Sequence, residues 1–176
     1  MQRISRITDA VIPNNALVLL DIDDTVLHLR GLGKGWWKAM QDMQYEELQC
    51  HSAARASTLV EWISRARSAV PERIDTAAIT AFLRAVRDAR ATLVFVTARS
   101  AALHELTLAQ LELCDLGGFP VIHAEAKGAA ARTLQKEYNA SNIVFIDDME
   151  CNVADVAAAF DPERGVHVDA YVFTGS

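Results

Sequence analysis

Five apolar residues, Ala16-Leu17-Val18-Leu19-Leu20, run without polar interruption into Asp21-Ile22-Asp23-Asp24-Thr25. Such a run suits a strand covered on both faces, as in a parallel sheet flanked by helices. Open sheets of that kind bind ligands beyond the carboxyl ends of their strands. Carboxylates delivered to that edge repel one another unless a cation sits among them or one takes up a proton, and hard oxygen donors suit Mg²⁺. A solvated acidic turn is the plain alternative; two later segments count against it.

The first is Thr92-Leu93-Val94-Phe95-Val96-Thr97-Ala98-Arg99-Ser100, an apolar run that ends in a hydroxyl residue and opens into a helical pattern over 101–113. A Thr at a strand-to-helix turn can offer its hydroxyl, and the backbone N–H groups after it, to a phosphate oxygen; an ordinary N-cap, with Ser100 as rival, is the other use of such a residue. The second is Asn142-Ile143-Val144-Phe145-Ile146-Asp147-Asp148, another buried-type strand finishing in paired acids. Between them Lys127-Gly128 precedes a helical stretch over 129–138, which puts an ammonium near a helix start at the same edge. Taken alone, Lys127 reads as a surface lysine.

The order acid pair, Thr, Lys, acid pair, in alternating strands and helices, resembles the haloacid dehalogenase-like hydrolase superfamily. The first motif resembles Asp21-Ile22-Asp23-Asp24-Thr25, the second Val94-Phe95-Val96-Thr97, the third Lys127 and the fourth Ile146-Asp147-Asp148. Lys136 is a rival for the third, but it falls mid-helix and too near the final motif strand. The resemblance implies a three-layer α/β/α Rossmann-like core with a predominantly parallel sheet and a small helical cap. It also implies a Mg²⁺-dependent phosphatase that hydrolyses a small phosphorylated substrate through an aspartyl-phosphate. Asp21 would be the nucleophile, and Asp23 would protonate the leaving oxygen and then activate water. Dehalogenases of the superfamily carry no acid at that second position, so Asp23 points to phosphoester or phosphoanhydride chemistry. Mg²⁺ would be held by Asp21, the backbone carbonyl of Asp23, Asp147 and Asp148. Thr97, Ala98, Arg99 and Lys127 would receive the phosphate, with Thr97 and Lys127 completing the catalytic charge cradle.

Other residues read more plainly. Arg99 is balanced between a substrate contact and a salt bridge on the following helix. Asn152 either orients the acid-bearing loop before it or caps the next helix, with the cap preferred; Asp24 reads as a hydrogen-bonding residue of its own loop, and His28 and His51 as loop or surface histidines. Phospho-accepting receiver domains also gather acids, a hydroxyl residue and a Lys around Mg²⁺, but their order ends with Lys, whereas here an acid pair follows Lys127. A silent binding or effector protein on the same fold is the third class.

The chain has 176 residues, 51% of them apolar, enough for a single domain with one good core. A net charge of -6 without a basic cluster leaves no footprint for nucleic acid as a bulk partner. No stretch reaches the roughly 18 apolar residues of a membrane span, and the expected place is the cytoplasm. Cys50, Cys114 and Cys151 lack any CxxC spacing and read as reduced core thiols. A short leading helix is expected over 4–12, a glycine-punctuated loop over 31–37 lying across the site, helical sequence through Val70, a helix over 77–89, and strands near 120–123 and within 165–173. The segment from about 28 to 75 reads as the cap or flap insertion, with Trp36 and Trp37 anchoring it to the core rather than stacking on substrate.

Overall fold

Strand β2 (Leu17–Leu20) lies in the middle of the sheet, paired in parallel with β5 (Thr92–Thr97) on one side and β7 (Asn142–Asp147) on the other. A computed structural model describes residues 1–161 and 165–175 of the chain. Beyond β5 lies β6 (Val121–His123); beyond β7 come β8 (His167–Phe173) and β1 (Gln2–Ile4), giving the order β1-β8-β7-β2-β5-β6 with every pairing parallel. The period-2 geometry of strands explains the two cores. Val18, Leu20, Phe95, Val144 and Ile146 face one layer, while Leu17, Leu19, Val94, Val96, Ile143 and Phe145 face the other. The first layer is covered by α3 (Thr76–Asp88) and α4 (His104–Leu113), the second by α5 (Lys127–Glu137) and α6 (Glu150–Ala158). This is a three-layer α/β/α, Rossmann-like arrangement with a parallel sheet, as the motif resemblance implied.

From β2 the chain moves outward through β5 and β6, then returns across β2 to β7 and β8. The carboxyl end of β2 is therefore the topological switch point, the crevice where open α/β sheets take ligands. Between β2 and β5 the chain departs from the sheet. Strands β3 (Leu27–Leu29) and β4 (Pro71–Arg73) pair antiparallel as a two-stranded stem, and from it project α1 (Lys34–Leu48) and α2 (His51–Ala66), packed against each other.

Several local expectations are corrected. Residues 4–12 form no leading helix: β1 joins the sheet edge beside β8, and only a single 3-10 turn, Ile7–Asp9, follows. The loop over 31–37 ends at Gly33, because Lys34, Gly35, Trp36 and Trp37 already form the first turn of α1. Asp24 accepts a hydrogen bond from the Lys34 backbone N–H at 2.7 Å and so starts that helix from outside it. The helical sequence through Val70 is two helices, broken where Gln49 takes a left-handed conformation (φ 50°). Of the cysteines only Cys114 is in the core; Cys50 and Cys151 are exposed. Trp36 and Trp37 are half-buried against the first core layer, as anchors should be. Among the described residues no helix is long and apolar enough to cross a membrane.

Candidate active site

Four elements deliver polar groups to the switch point. Asp21 follows the last residue of β2, and its backbone N–H donates to Ile146 O at 3.0 Å, so the sheet ladder itself places it beside Asp147 at the end of β7. Thr97 closes β5, and Lys127 opens α5. Lys127 is 1% exposed, and its Nζ donates to Asp21 Oδ1 at 2.5 Å and to Asp147 Oδ2 at 2.6 Å. Asp148 completes the group: one carboxylate oxygen from each of Asp21, Asp147 and Asp148 lies within 4.8 Å of the others. Lys136, the rival lysine, is exposed in the last turn of α5, nine residues and thus about 14 Å of helix from Lys127.

The close seat of Lys127 depends on its neighbour. A Cβ on Gly128 would come within 2.6 Å of Asp155 O, while the Gly128 N–H donates to Asp155 Oδ2 at 2.7 Å. Only glycine lets the start of α5 approach α6 so closely.

Asp147 is held by more than Lys127. Met149 N donates to its Oδ1 at 2.8 Å, and the Asn152 amide reaches both oxygens at 3.1 Å. Asn152 therefore orients this carboxylate rather than capping α6, which begins at Glu150 with no side-chain cap. Thr25 links the two acid-bearing loops: its hydroxyl accepts from Asp148 N at 3.1 Å and donates to Asp21 Oδ2 at 3.4 Å. Asp24, at φ 55°, is not one of the three grouped carboxylates and pairs with His28 Nδ1 at 3.0 Å, its expected loop role.

The electrostatics follow from burial. Burial pushes the Asp21 carboxyl well above the usual carboxylate range; Asp147 and Asp23 add to the rise, and Lys127 opposes it. Burial draws the Lys127 ammonium down, but Asp21 and Asp147 together outweigh it and leave it above its ordinary value. Asp148 is pushed up to about 6 by burial and by Asp147, against the pull of Lys34, whose Nζ lies 3.6 Å from its Oδ2. Three carboxylates facing one buried ammonium carry an excess of negative charge that an ion of charge two would offset, and all three donors are hard oxygens. The donor set suits a small divalent cation.

Asp23 and Arg99 form the second half of the site. Arg99 Nε donates to Asp23 Oδ2 and Nη2 to Oδ1, each at 2.7 Å, so the guanidinium sits on the carboxylate of Asp23 rather than lying open at the edge. Its backbone N–H donates to Thr97 Oγ1 at 3.2 Å, and its carbonyl accepts from His123 Nδ1 at 3.0 Å. Ala98, between them, is exposed. The sequence reading had no sight of Thr107 and Gln110, which bond the remaining arm of Arg99. A signal existed: on α4 they share the inward face with Leu111, in line with Leu103 in the turn just before the helix, and polar residues in such positions announce a buried polar partner.

A family model described as "Protein of unknown function (DUF2608)" matches residues 1–117, the larger part of the chain. The chain belongs to this family. The match carries the DUF2608 description across β2, the helical insert, β5 and Arg99, and stops before Lys127 and Asp147. No curated protein matches. Among solved structures this DUF2608 member is similar to one described as a "putative beta-phosphoglucomutase from Thermotoga maritima", at 12% identity and a TM-score of 0.53, covering 91% of this chain and 95% of that one. At that identity the likeness bears on the fold alone, the three-layer arrangement described above.

Proposed function

We propose that the protein is a Mg²⁺-dependent phosphatase of haloacid dehalogenase type, acting on a small phosphorylated substrate. The observation that carries this reading is the buried Lys127 ammonium seated between Asp21 and Asp147 at the switch point, with Asp148 completing a three-carboxylate cage. Asp21, Asp147 and Asp148 would hold the ion, joined by the backbone carbonyl of Asp23; the ion would offset the charge of the carboxylates and of the bound phosphate. Lys127 and Thr97, with the backbone N–H of Ala98 behind it, would cradle the phosphate oxygens, while the Arg99 N–H holds the Thr97 hydroxyl in place.

In the first step an Asp21 oxygen bonds to phosphorus as the bond from phosphorus to the leaving oxygen breaks. A proton passes from the Asp23 carboxyl to that oxygen, which departs as an alcohol. In the second, water attacks phosphorus of the aspartyl-phosphate, its proton returns to Asp23, and Asp21 is freed with inorganic phosphate. The stem and helical hairpin spanning about 28–75 serve as the cap, closing over the site and excluding water.

The test is phosphate release from a panel of phosphorylated metabolites, run with Mg²⁺ and with chelator. Turnover that vanishes on chelation supports the reading; chelator-insensitive turnover overturns it. Binding of phosphorylated ligands without turnover would make the chain a binding protein on an enzyme fold.

A further inference from the structure

Arg99 is a buried cation with more partners than a salt bridge needs. Its side chain is 2% exposed, while that of Asp23, the carboxylate it grips, is 34% exposed. A loop aspartate with that much access to water does not require a guanidinium for its own sake. The guanidinium, in contrast, is costly to bury and must be satisfied on every side. It is satisfied by three different parts of the fold. Asp23 takes two donors in a fork, which fixes the plane of the carboxylate as well as its position. From α4, Gln110 Oε1 accepts at 2.7 Å and Thr107 Oγ1 at 3.3 Å. From α2, in the helical insert, the Trp62 ring lies 5.4 Å below the guanidinium carbon, a cation–π arrangement.

The insert also reaches Arg99 by a second route. The Gln110 amide that points its oxygen at Arg99 donates its Nε2–H to Ala66 O, at the end of α2, at 2.9 Å. The orientation of the Gln110 side chain is thus fixed by α2 on one side and by Arg99 on the other. Trp62 is itself tied down, its ring N–H donating to Leu32 O at 3.4 Å. The path from insert to Asp23 is therefore made of direct contacts, buried as far as Arg99 and reaching partly exposed Asp23 at its end.

We propose that Arg99 is a positioning residue: it aims the Asp23 carboxylate, and is itself aimed by the helical insert through Trp62 and through Gln110 bonded to Ala66. The seating of the insert on the core then reaches the proton-transfer step. This rests on the phosphatase reading for its kinetic consequence, though not for the coupling between Asp23 and the insert.

Two measurements on Arg99→Met, Arg99→Lys, Trp62→Leu and Asp23→Asn test it. The first is kcat/KM for an alkyl phosphate against 4-nitrophenyl phosphate, whose good leaving group needs little proton donation. Asp23→Asn sets the scale, losing the alkyl ester more steeply than the aryl one. Arg99→Met should lower the alkyl-to-aryl ratio at least tenfold, with the roughly 10²–10⁴ carried by a general acid as the ceiling, and mainly through kcat. Trp62→Leu should lower it severalfold in the same sense, and Arg99→Lys should restore it only in part, because an ammonium offers no fork. Folded variants with an unchanged ratio overturn the proposal.

The second is amide hydrogen exchange along α2, which needs no turnover. Asp23→Asn and Arg99→Met should each speed exchange over 62–66 while α5 is unaffected. If the wild type hydrolyses neither ester, the phosphatase reading fails and the exchange data alone decide the coupling. Unchanged exchange in Asp23→Asn then overturns it.

Discussion

Replacing Lys127 by Met should unfold the protein more readily in a way that a divalent cation repairs. The substitution keeps much of the side chain's length in its buried slot and removes the charge between Asp21 and Asp147. Removing one partner of a buried ion pair costs about 3–5 kcal/mol. An independent route gives a similar figure: carboxylate oxygens within 4.8 Å repel by about 3 kcal/mol at an effective dielectric constant of about 20. For a domain of this size each kcal/mol moves the melting temperature by roughly 2–4 °C, so a loss on the order of 10 °C is expected in chelator. Mg²⁺ at about a hundredfold over its dissociation constant returns about 2.7 kcal/mol. It should raise the variant more than the wild type, in which Lys127 already sits among the acids. The assay is thermal unfolding of both proteins in chelator and across a Mg²⁺ series. A metal-free variant melting within about 2 °C of wild type, or equal Mg²⁺ shifts in the two, would refute the charge argument.

Asp21→Asn should abolish turnover while the metal-free protein melts no lower than wild type, because the amide removes one of the crowded charges; near wild-type phosphate release would exclude Asp21 as nucleophile. The pH dependence of stability carries a sign. With its carboxyl near 6 in the folded chain and near 3.8 when unfolded, Asp148 keeps a proton between those values that the unfolded chain has released, so its contribution is present at low pH and is lost as pH rises through about 6. In chelator, Asp148→Asn should therefore gain on wild type across that window, and parallel melting curves would count against the assignment. Gly128→Ala should cost about 1–3 kcal/mol by forcing its Cβ against Asp155 O, measured by urea unfolding; an unchanged midpoint would show that α5 can shift freely.

The residues at strand ends were legible because burial and chemistry change there within one residue. Leu20 to Asp21 and Ile146 to Asp147 each pass from a two-sided core to a polar edge, and the strand register that aligns them follows from the same apolar runs. Lys127 was legible through its order and through Gly128 beside it. What lay beyond reach was tertiary. Arg99 and Asp23 are 76 residues apart, and nothing local separates a guanidinium aimed at substrate from one gripping a carboxylate. Asn152 stands where a helix cap is expected but points back at Asp147, a choice made by the β7 loop and not by α6. The break between α1 and α2 falls at Gln49, with neither Gly nor Pro to mark it; the Gln49 amide instead bonds back to Glu46 O at 2.8 Å. Strand β1 is three residues long and exists because β8, at the far end of the chain, offers it an edge.

The most direct measurement is the covalent state of Asp21 during turnover. A substrate found in the metabolite panel is mixed with enzyme and Mg²⁺, quenched in acid within the first turnover and reduced with borohydride, which converts an aspartyl-phosphate into homoserine; the peptides are then read by mass spectrometry. The account predicts homoserine at position 21, dependent on substrate and Mg²⁺ and absent from Asp21→Asn. Turnover with unmodified Asp21 at every quench time, or with the modification on another residue, would contradict it.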